Sequence, residues 1–168
     1  MPDLQKRAQC DALSLTSNNG LLTKLISEVD ILSPIDGTIL RRGIRGLWDT
    51  GASRSALDEQ IIAALNLVST GEVKVITANG TRVAKEYCVT IKLPNGVTFM
   101  QMPVTDGRIG SGIDMLIGMD VITRGDFSIT NVGKTVLSFR IPSIEPVDFV
   151  QQANFARKAT QGHRPKKK

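Results

Sequence analysis

The side chains best suited to chemistry lie in the segment Leu47–Ser53, which reads Leu-Trp-Asp-Thr-Gly-Ala-Ser. Asp49 follows the apolar end of a predicted strand, and the hydroxyl of Thr50 stands next to it in a turn of small residues. A carboxyl group can take up or release a proton, so Asp49 is a candidate general acid or base. The same tripeptide also occurs in ordinary turns, and alone it does not decide between the two interpretations.

A second segment, Ile113–Asp120, joins an apolar strand to a glycine and contains the run Leu-Ile-Gly-Met-Asp. Asp-Thr-Gly-Ala-Ser followed later by Leu-Ile-Gly resembles the retropepsin-like aspartic proteases, the group of retroviral proteases and their cellular and bacterial relatives. The order of predicted elements agrees with that group: strand, Asp-Thr-Gly, flap hairpin, further hairpin, apolar pair with glycine, short helix and closing strands. The resemblance covers roughly residues 21–142, and both runs look most like bacterial, single-domain members.

The resemblance implies an aspartic-type endopeptidase, which hydrolyses peptide bonds with a water activated between two carboxyl groups. Two carboxyls in contact cannot both be ionised, so one acts as base on the water and the other as acid toward the substrate carbonyl. This chain has one such aspartate, because Asp36-Gly37 and Asp106-Gly107 lack the intervening hydroxyl and the preceding strand. The second Asp49 is therefore expected from the partner in a homodimer, with the site on the two-fold axis.

The resemblance also implies roles for the residues around the expected catalytic Asp49. The loop after it would bond across the dimer axis, donate N–H groups to the carboxylates and line the substrate cleft; its residues are Thr50, Gly51, Ala52 and Ser53. The residues expected to support this loop from beneath are Leu116, Ile117 and Gly118. The residues in the position of the flap, which closes over an extended peptide or protein substrate, are Thr77, Ala78, Asn79 and Gly80. An ordinary surface hairpin is the alternative interpretation of this segment, because it contains a single glycine.

Periodicity and turn residues predict a small, mostly β body, which the resemblance narrows to a closed β-barrel with one or two short helices. Strands are expected over 21–33 and 38–48, and a helix over 56–65 with Ser55 as its N-cap. The pairs Asn79-Gly80 and Asn95-Gly96 predict two hairpins, because type I′ turns need positive φ at both central positions. A last hairpin is expected around residues 131–133, and a short helical turn over 119–124.

The formal charge of +5 belongs to the end of the chain. Residues 151–168 contain six basic residues and no acid, and the rest has 15 basic against 16 acidic residues, a net charge of −1. The prediction is a flexible N-terminal arm (1–20), a retropepsin-like domain (21–142) and a basic, disordered tail (143–168). Nucleic-acid binding would depend on that tail alone, and a solvated tail is the preferred interpretation.

Other classes of function receive less support from the composition. No apolar run approaches the ~18 residues of a membrane helix, and two cysteines form no disulfide framework, so a cytoplasmic setting is expected. No cofactor and no metal are predicted. His163, the only histidine, lies in the tail, which excludes Ser-His-Asp and Cys-His sites unless the tail folds back. Asp114 and Asp120 are interpreted as structural acids. The alternative function is a catalytically weak retropepsin-fold module for binding or assembly.

Overall fold

A computed structural model describes residues 10–77 and 80–161 of the chain, without the side chains of 158–161. The strands in chain order are β1 (Asp11–Thr16), β2 (Ile26–Leu32), β3 (Ile39–Trp48), β4 (Ala56–Asp58), β5 (Gly71–Thr77), β6 (Gly80–Lys92), β7 (Thr98–Gly107), β8 (Met115–Ile117), β9 (Asp126–Thr130) and β10 (Val136–Ile141). The helices are α1 (Glu59–Ala64), α2 (Met119–Ile122) and α3 (Phe149–Gln161). In the described part of the chain, no helix is long and apolar enough to cross a membrane.

Six strands close into a barrel, as the sequence predicts. Their order is β2-β3-β8-β4-β7-β6, and β6 pairs back onto β2 through three residue pairs that centre on Ile31 and Ile91. The remaining strand of this sheet, β5, lies outside the ring and pairs with β6, so that β5 is the first strand of a hairpin and β6 the second. We call this hairpin, residues 71–77 and 80–86, the flap hairpin. The described residues hold three short helices, against the one or two predicted.

The barrel interior is apolar and built mainly from Val, Ile, Leu and Met. A separate three-stranded sheet, in the order β1-β10-β9, packs against the barrel through aromatic contacts of Trp48. The Trp48 ring lies 5.5 Å from that of Phe127 and 5.2 Å from that of Phe139, and its indole N–H donates to Ser27 Oγ. Trp48 is therefore a core residue.

Two segments that were expected to lack regular structure contain a strand and a helix. Within the predicted arm, β1 pairs along its whole length with β10, and its Leu13 side chain is buried. Within the predicted tail, α3 begins after Asp148, whose carboxylate accepts from the N–H groups of Val150 and Gln151. The α3 segment contains neither glycine nor proline, and it is rich in Ala and Gln, which favour helix. The positive charge that suggested disorder lies mostly beyond Gln161, outside the described residues.

The predicted hairpins form. The chain reverses between β6 and β7 as predicted, but the turn is not of type I′, because Gly96 has φ +90° whereas Asn95 does not have positive φ. The Gly96 N–H donates to the Leu93 carbonyl at 2.9 Å, and the Leu93 N–H donates to the Val97 carbonyl at 2.8 Å. In the flap hairpin Thr77 pairs with Gly80, and Ala78 and Asn79 lie outside the described residues. The last hairpin, β9–β10, has the antiparallel register expected around residues 131–133.

Three predicted boundaries are wrong. The strand predicted to begin at Leu21 is β2 and begins at Ile26, and residues 56–58 form β4 rather than the first turn of a helix. Asp58, not Ser55, is the N-cap of α1, because its carboxylate accepts from the Gln60 N–H. Helical spacing of apolar residues could not reveal that this short segment is held between β7 and β8 as a strand.

Candidate active site

The turn that carries Asp49 begins where β3 ends, beside the parallel strand β8. Trp48 pairs with Ile117, and the Asp49 N–H donates to the Ile117 carbonyl at 3.0 Å. The Gly51 N–H donates to Asp49 Oδ1 at 2.9 Å, and the Ala52 N–H donates to the Asp49 carbonyl at 3.2 Å. The half-buried carboxylate is thus oriented by its own turn, and the strand pair β3–β8 holds the turn at one end of the barrel.

Gly118 lies directly beneath this turn. A Cβ atom at Gly118 would come within 2.6 Å of the Arg54 carbonyl carbon and 2.9 Å of the Ala52 carbonyl oxygen, so any larger residue would force the backbone to shift. The Met119 N–H donates to the same Ala52 oxygen at 2.8 Å. The two sequence motifs, far apart along the chain, are therefore in backbone contact, because glycine permits the close approach.

Ser55 and Asp120 connect the turn to α2. The Ser55 hydroxyl donates to Asp120 Oδ1 at 2.8 Å and accepts from the Gly118 N–H at 3.1 Å. The Ser55 N–H donates to Asp120 Oδ2 at 3.0 Å, and the Ser55 side chain is completely buried. Asp120 is thus a structural acid, as predicted, whereas the role of Ser55 was missed. Its position after Asp-Thr-Gly-Ala-Ser resembles a helix cap, and its true partner is 65 residues away.

Asp114 is also structural. Its carboxylate accepts from the Arg45 N–H at 2.9 Å, and its carbonyl accepts from the Asp58 N–H at 2.9 Å, so it joins β3 to the start of α1. Among residues 10–77 and 80–161, no group of three or more His, Cys, Asp or Glu side chains could hold a metal ion.

Two ion pairs that involve β6 were not predicted from the sequence. Arg54 Nη1 lies 2.6 Å from Glu86 Oε2 on β6, and Arg82 Nη1 lies 2.8 Å from Asp106 Oδ1 at the end of β7. Arg82 also donates from Nη2 to the Asp106 carbonyl. An arginine directly after the motif could have been noticed, but nothing local identifies its partner.

The remaining site candidates occupy two places. Thr50, Gly51 and Ser53 are exposed on the turn, and Ala52 is half-buried. Beneath it, Ile117 is buried and Leu116 is half-buried in β8. At the other place, the end of the flap hairpin, Thr77 and Gly80 are exposed, and the Thr77 hydroxyl donates to the Gly80 carbonyl at 3.0 Å.

A barrel in which two short parallel strands hold an Asp-Thr-Gly turn over a glycine defines the class of aspartic proteases built on the retropepsin fold. Residues 35–121, just over half of the chain, match the family described as aspartyl protease. The chain belongs to this family. No curated protein matches it.

Two solved structures are similar to the chain. A retropepsin-like aspartic protease from Rickettsia conorii is 18% identical, with a TM-score of 0.50 over 79% of this chain and 95% of that one. The protease of simian foamy virus (mac) is 17% identical, with a TM-score of 0.39 over 58% of this chain and 91% of that one. The first likeness confirms the retropepsin-like barrel.

Proposed function

We propose that the protein is an aspartic endopeptidase whose active site forms between two copies of the chain, each contributing Asp49. The observation that carries the proposal is the geometry of the Asp49 turn, whose carboxylate is oriented by the Gly51 N–H above the Gly118 backbone. Membership of the aspartyl protease family supports peptide hydrolysis as the reaction. One carboxyl per chain supports a homodimer, because the reaction needs a base and an acid in contact.

In this mechanism the two Asp49 carboxyls share one proton. The ionised carboxyl removes a proton from the attacking water, and the protonated one donates its proton to the substrate carbonyl oxygen. Gly51 holds each carboxylate by its N–H, and the exposed Thr50 hydroxyl would bond across the dimer axis. Ala52 and Ser53 would line the cleft beside the reacting bond.

The substrate proposed is an extended peptide that lies between the turn and the flap hairpin. The cross-strand pairs Val73–Ala84 and Val75–Arg82 share one face of the hairpin, and all four residues are buried or half-buried. The opposite face carries Val83, which is exposed. Accessible apolar side chains on the hairpin, such as Val83, support a preference for cleavage between hydrophobic residues.

The decisive experiment is a comparison of Asp49→Asn with the native protein on a library of extended peptides. We expect cleavage to fall at least ~10³-fold, because the amide cannot act as a base or share the proton. Asp36→Asn is the matched control: Asp36 lies in an exposed turn where its carboxylate accepts from the Thr38 N–H. Cleavage that survives Asp49→Asn would contradict the proposal.

A second candidate function follows from the same experiment. If the native protein forms a stable dimer yet cleaves no peptide and binds no transition-state mimic, a binding or assembly module on this fold is the better description. A bacterial source and a cytoplasmic setting stay predictions. Cys10 and Cys88 form no disulfide in the described part of the chain.

A further inference from the structure

The outer part of the flap hairpin extends beyond the strand pairing that joins β6 to the barrel. The pairing of β6 with β7 ends at Glu86–Thr105, whereas β6 and β5 continue together to Gly80–Thr77. Beyond Glu86 the hairpin is therefore a two-stranded extension in the described part of the chain. An isolated two-stranded hairpin is at best marginally stable, so further contacts must decide its position.

The base of this extension is anchored at Glu86. The Glu86 carbonyl accepts from the Thr70 N–H at 2.8 Å and from the Ser69 hydroxyl at 3.2 Å, and its carboxylate pairs with Arg54. Arg54 directly follows the Asp-Thr-Gly-Ala-Ser segment, so the hinge of the hairpin is joined to the Asp49 turn. Among the described residues, the six that precede this anchor in β6, Gly80 to Lys85 and about 20 Å of strand, have no backbone pairing with β7.

Arg82 connects this part of the hairpin to the end of β7. Its guanidinium binds both the carboxylate and the carbonyl of Asp106, with Nη1 2.8 Å from Oδ1. Asp106 is itself held on the other side, where it pairs with Leu57 of β4, and 16% of its side chain is exposed. The two-stranded extension is thus joined to the barrel by a guanidinium that binds both acceptors, which a lysine could not reproduce.

We infer that Arg82 is a positioning residue that tethers the flap hairpin to the end of β7 and thereby sets its height over the Asp49 turn. This inference rests on the proposed peptidase function for its consequence, because a flap held in place binds an extended substrate with less loss of conformational freedom. Loss of the tether weakens substrate binding and leaves the chemistry of the two carboxyls unchanged.

The test combines hydrogen exchange with steady-state kinetics on full-length Arg82→Ala and Asp106→Asn. We expect amides of residues 71–77 and 80–85 to exchange about two- to fivefold faster, the range for a partly exposed ion pair, with barrel strands unchanged. KM should rise by a similar factor, and kcat should change by less than about twofold. Arg82→Lys should restore only part of the effect, since its point charge cannot bind both acceptors.

Arg42→Ala is the matched control, because Arg42 on β3 forms an ion pair at 3.4 Å with Asp30 on β2. Asp30 pairs with Lys92, at the end of β6 that lies away from the flap hairpin. Unchanged exchange in Arg82→Ala, or equally faster exchange throughout the barrel, would overturn the inference. So would faster flap exchange with KM unchanged. If the native protein cleaves no peptide, the proposed function fails, and the exchange data alone support or overturn the tether.

Discussion

At the scale of single residues, the site depends on one acid and one missing side chain. Asp49 needs an N–H from its own turn to orient the carboxylate, and Gly51 supplies it at 2.9 Å. Gly118 needs to have no side chain, because the carbonyl groups of Ala52 and Arg54 occupy the space that a Cβ atom would fill. The chemistry of the acid and the packing of the glycine are therefore parts of one local structure.

Gly118→Ala should destabilise the protein and disturb the Asp49 turn. The added methyl group would lie 2.6 Å from backbone rather than from a flexible side chain, so the turn must shift, at a cost of about 1–3 kcal/mol. Urea unfolding followed by fluorescence of Trp48 measures the change. Gly71→Ala is the control, because a Cβ there meets nothing within 4 Å. Equal stability of the two variants would show that the close approach is relieved without strain.

At the scale of elements, α1 is held in place by a carboxylate that serves two segments. Asp58 Oδ1 accepts from the Gln60 N–H at 2.9 Å, which caps the helix, and Oδ2 accepts from the Ile109 N–H at 3.0 Å. The cap therefore also fixes the loop between β7 and β8. Burial raises the pKa of Asp58, but the N–H groups of Gln60, Ile109 and Gly110 together lower it more, so its pKa is below the usual range.

Asp58→Ala should lower the free energy of unfolding by about 1 kcal/mol at neutral pH. Because the pKa of Asp58 is lower in the folded state than in the unfolded chain, its contribution is present above pH ~3.9 and is lost as the pH falls through the folded-state pKa. Urea unfolding at pH 7 and at pH 3 should show the difference between native and variant shrinking in acid.

Glu59→Ala is the control for this measurement, since Glu59 occupies the next position and pairs only with Arg108, whose side chain is 89% exposed. An exposed pair of this kind contributes little to stability. A difference for Asp58→Ala that stayed constant down to pH 3 would argue against a role for the charged carboxylate.

At the scale of the whole molecule, the barrel and the three-stranded sheet serve to place one Asp49 turn at a surface. Thr50 and Gly51 are exposed on that turn, so a second copy can approach it. If the site takes one Asp49 from each copy, every dimer that contains an inactive chain is itself inactive.

Mixing native protein with Asp49→Asn, followed by time for subunits to exchange, tests this dependence. An equal mixture should retain about one quarter of the activity of the same total amount of native protein, because only native–native dimers have both carboxyls. Independent monomers would instead retain about one half. Sedimentation of the mixture checks that the variant enters dimers as readily as the native chain does.

Local sequence patterns predicted much of this protein's secondary structure and the position of its candidate site. Positive φ at Gly96, the alternation of apolar residues along β6, and the small-residue turn at Asp49 each depend on neighbouring residues, so they can be recognised in the printed sequence. The fold class followed from two short motifs in order. Helical spacing was misleading at residues 56–58, because pairing with β7 and β8 outweighs the propensity of a three-residue segment.

The pairings between residues that are distant along the chain could be learned only from the tertiary structure. Ser55 with Asp120, Arg54 with Glu86, and Arg82 with Asp106 are each chosen by barrel closure, which brings together strands whose order along the chain differs from their order in the sheet. The residue types indicate that such partners exist, since a buried hydroxyl or a partly buried charge is normally hydrogen-bonded. Which partner is found depends on the path of the whole chain, and no local pattern records it.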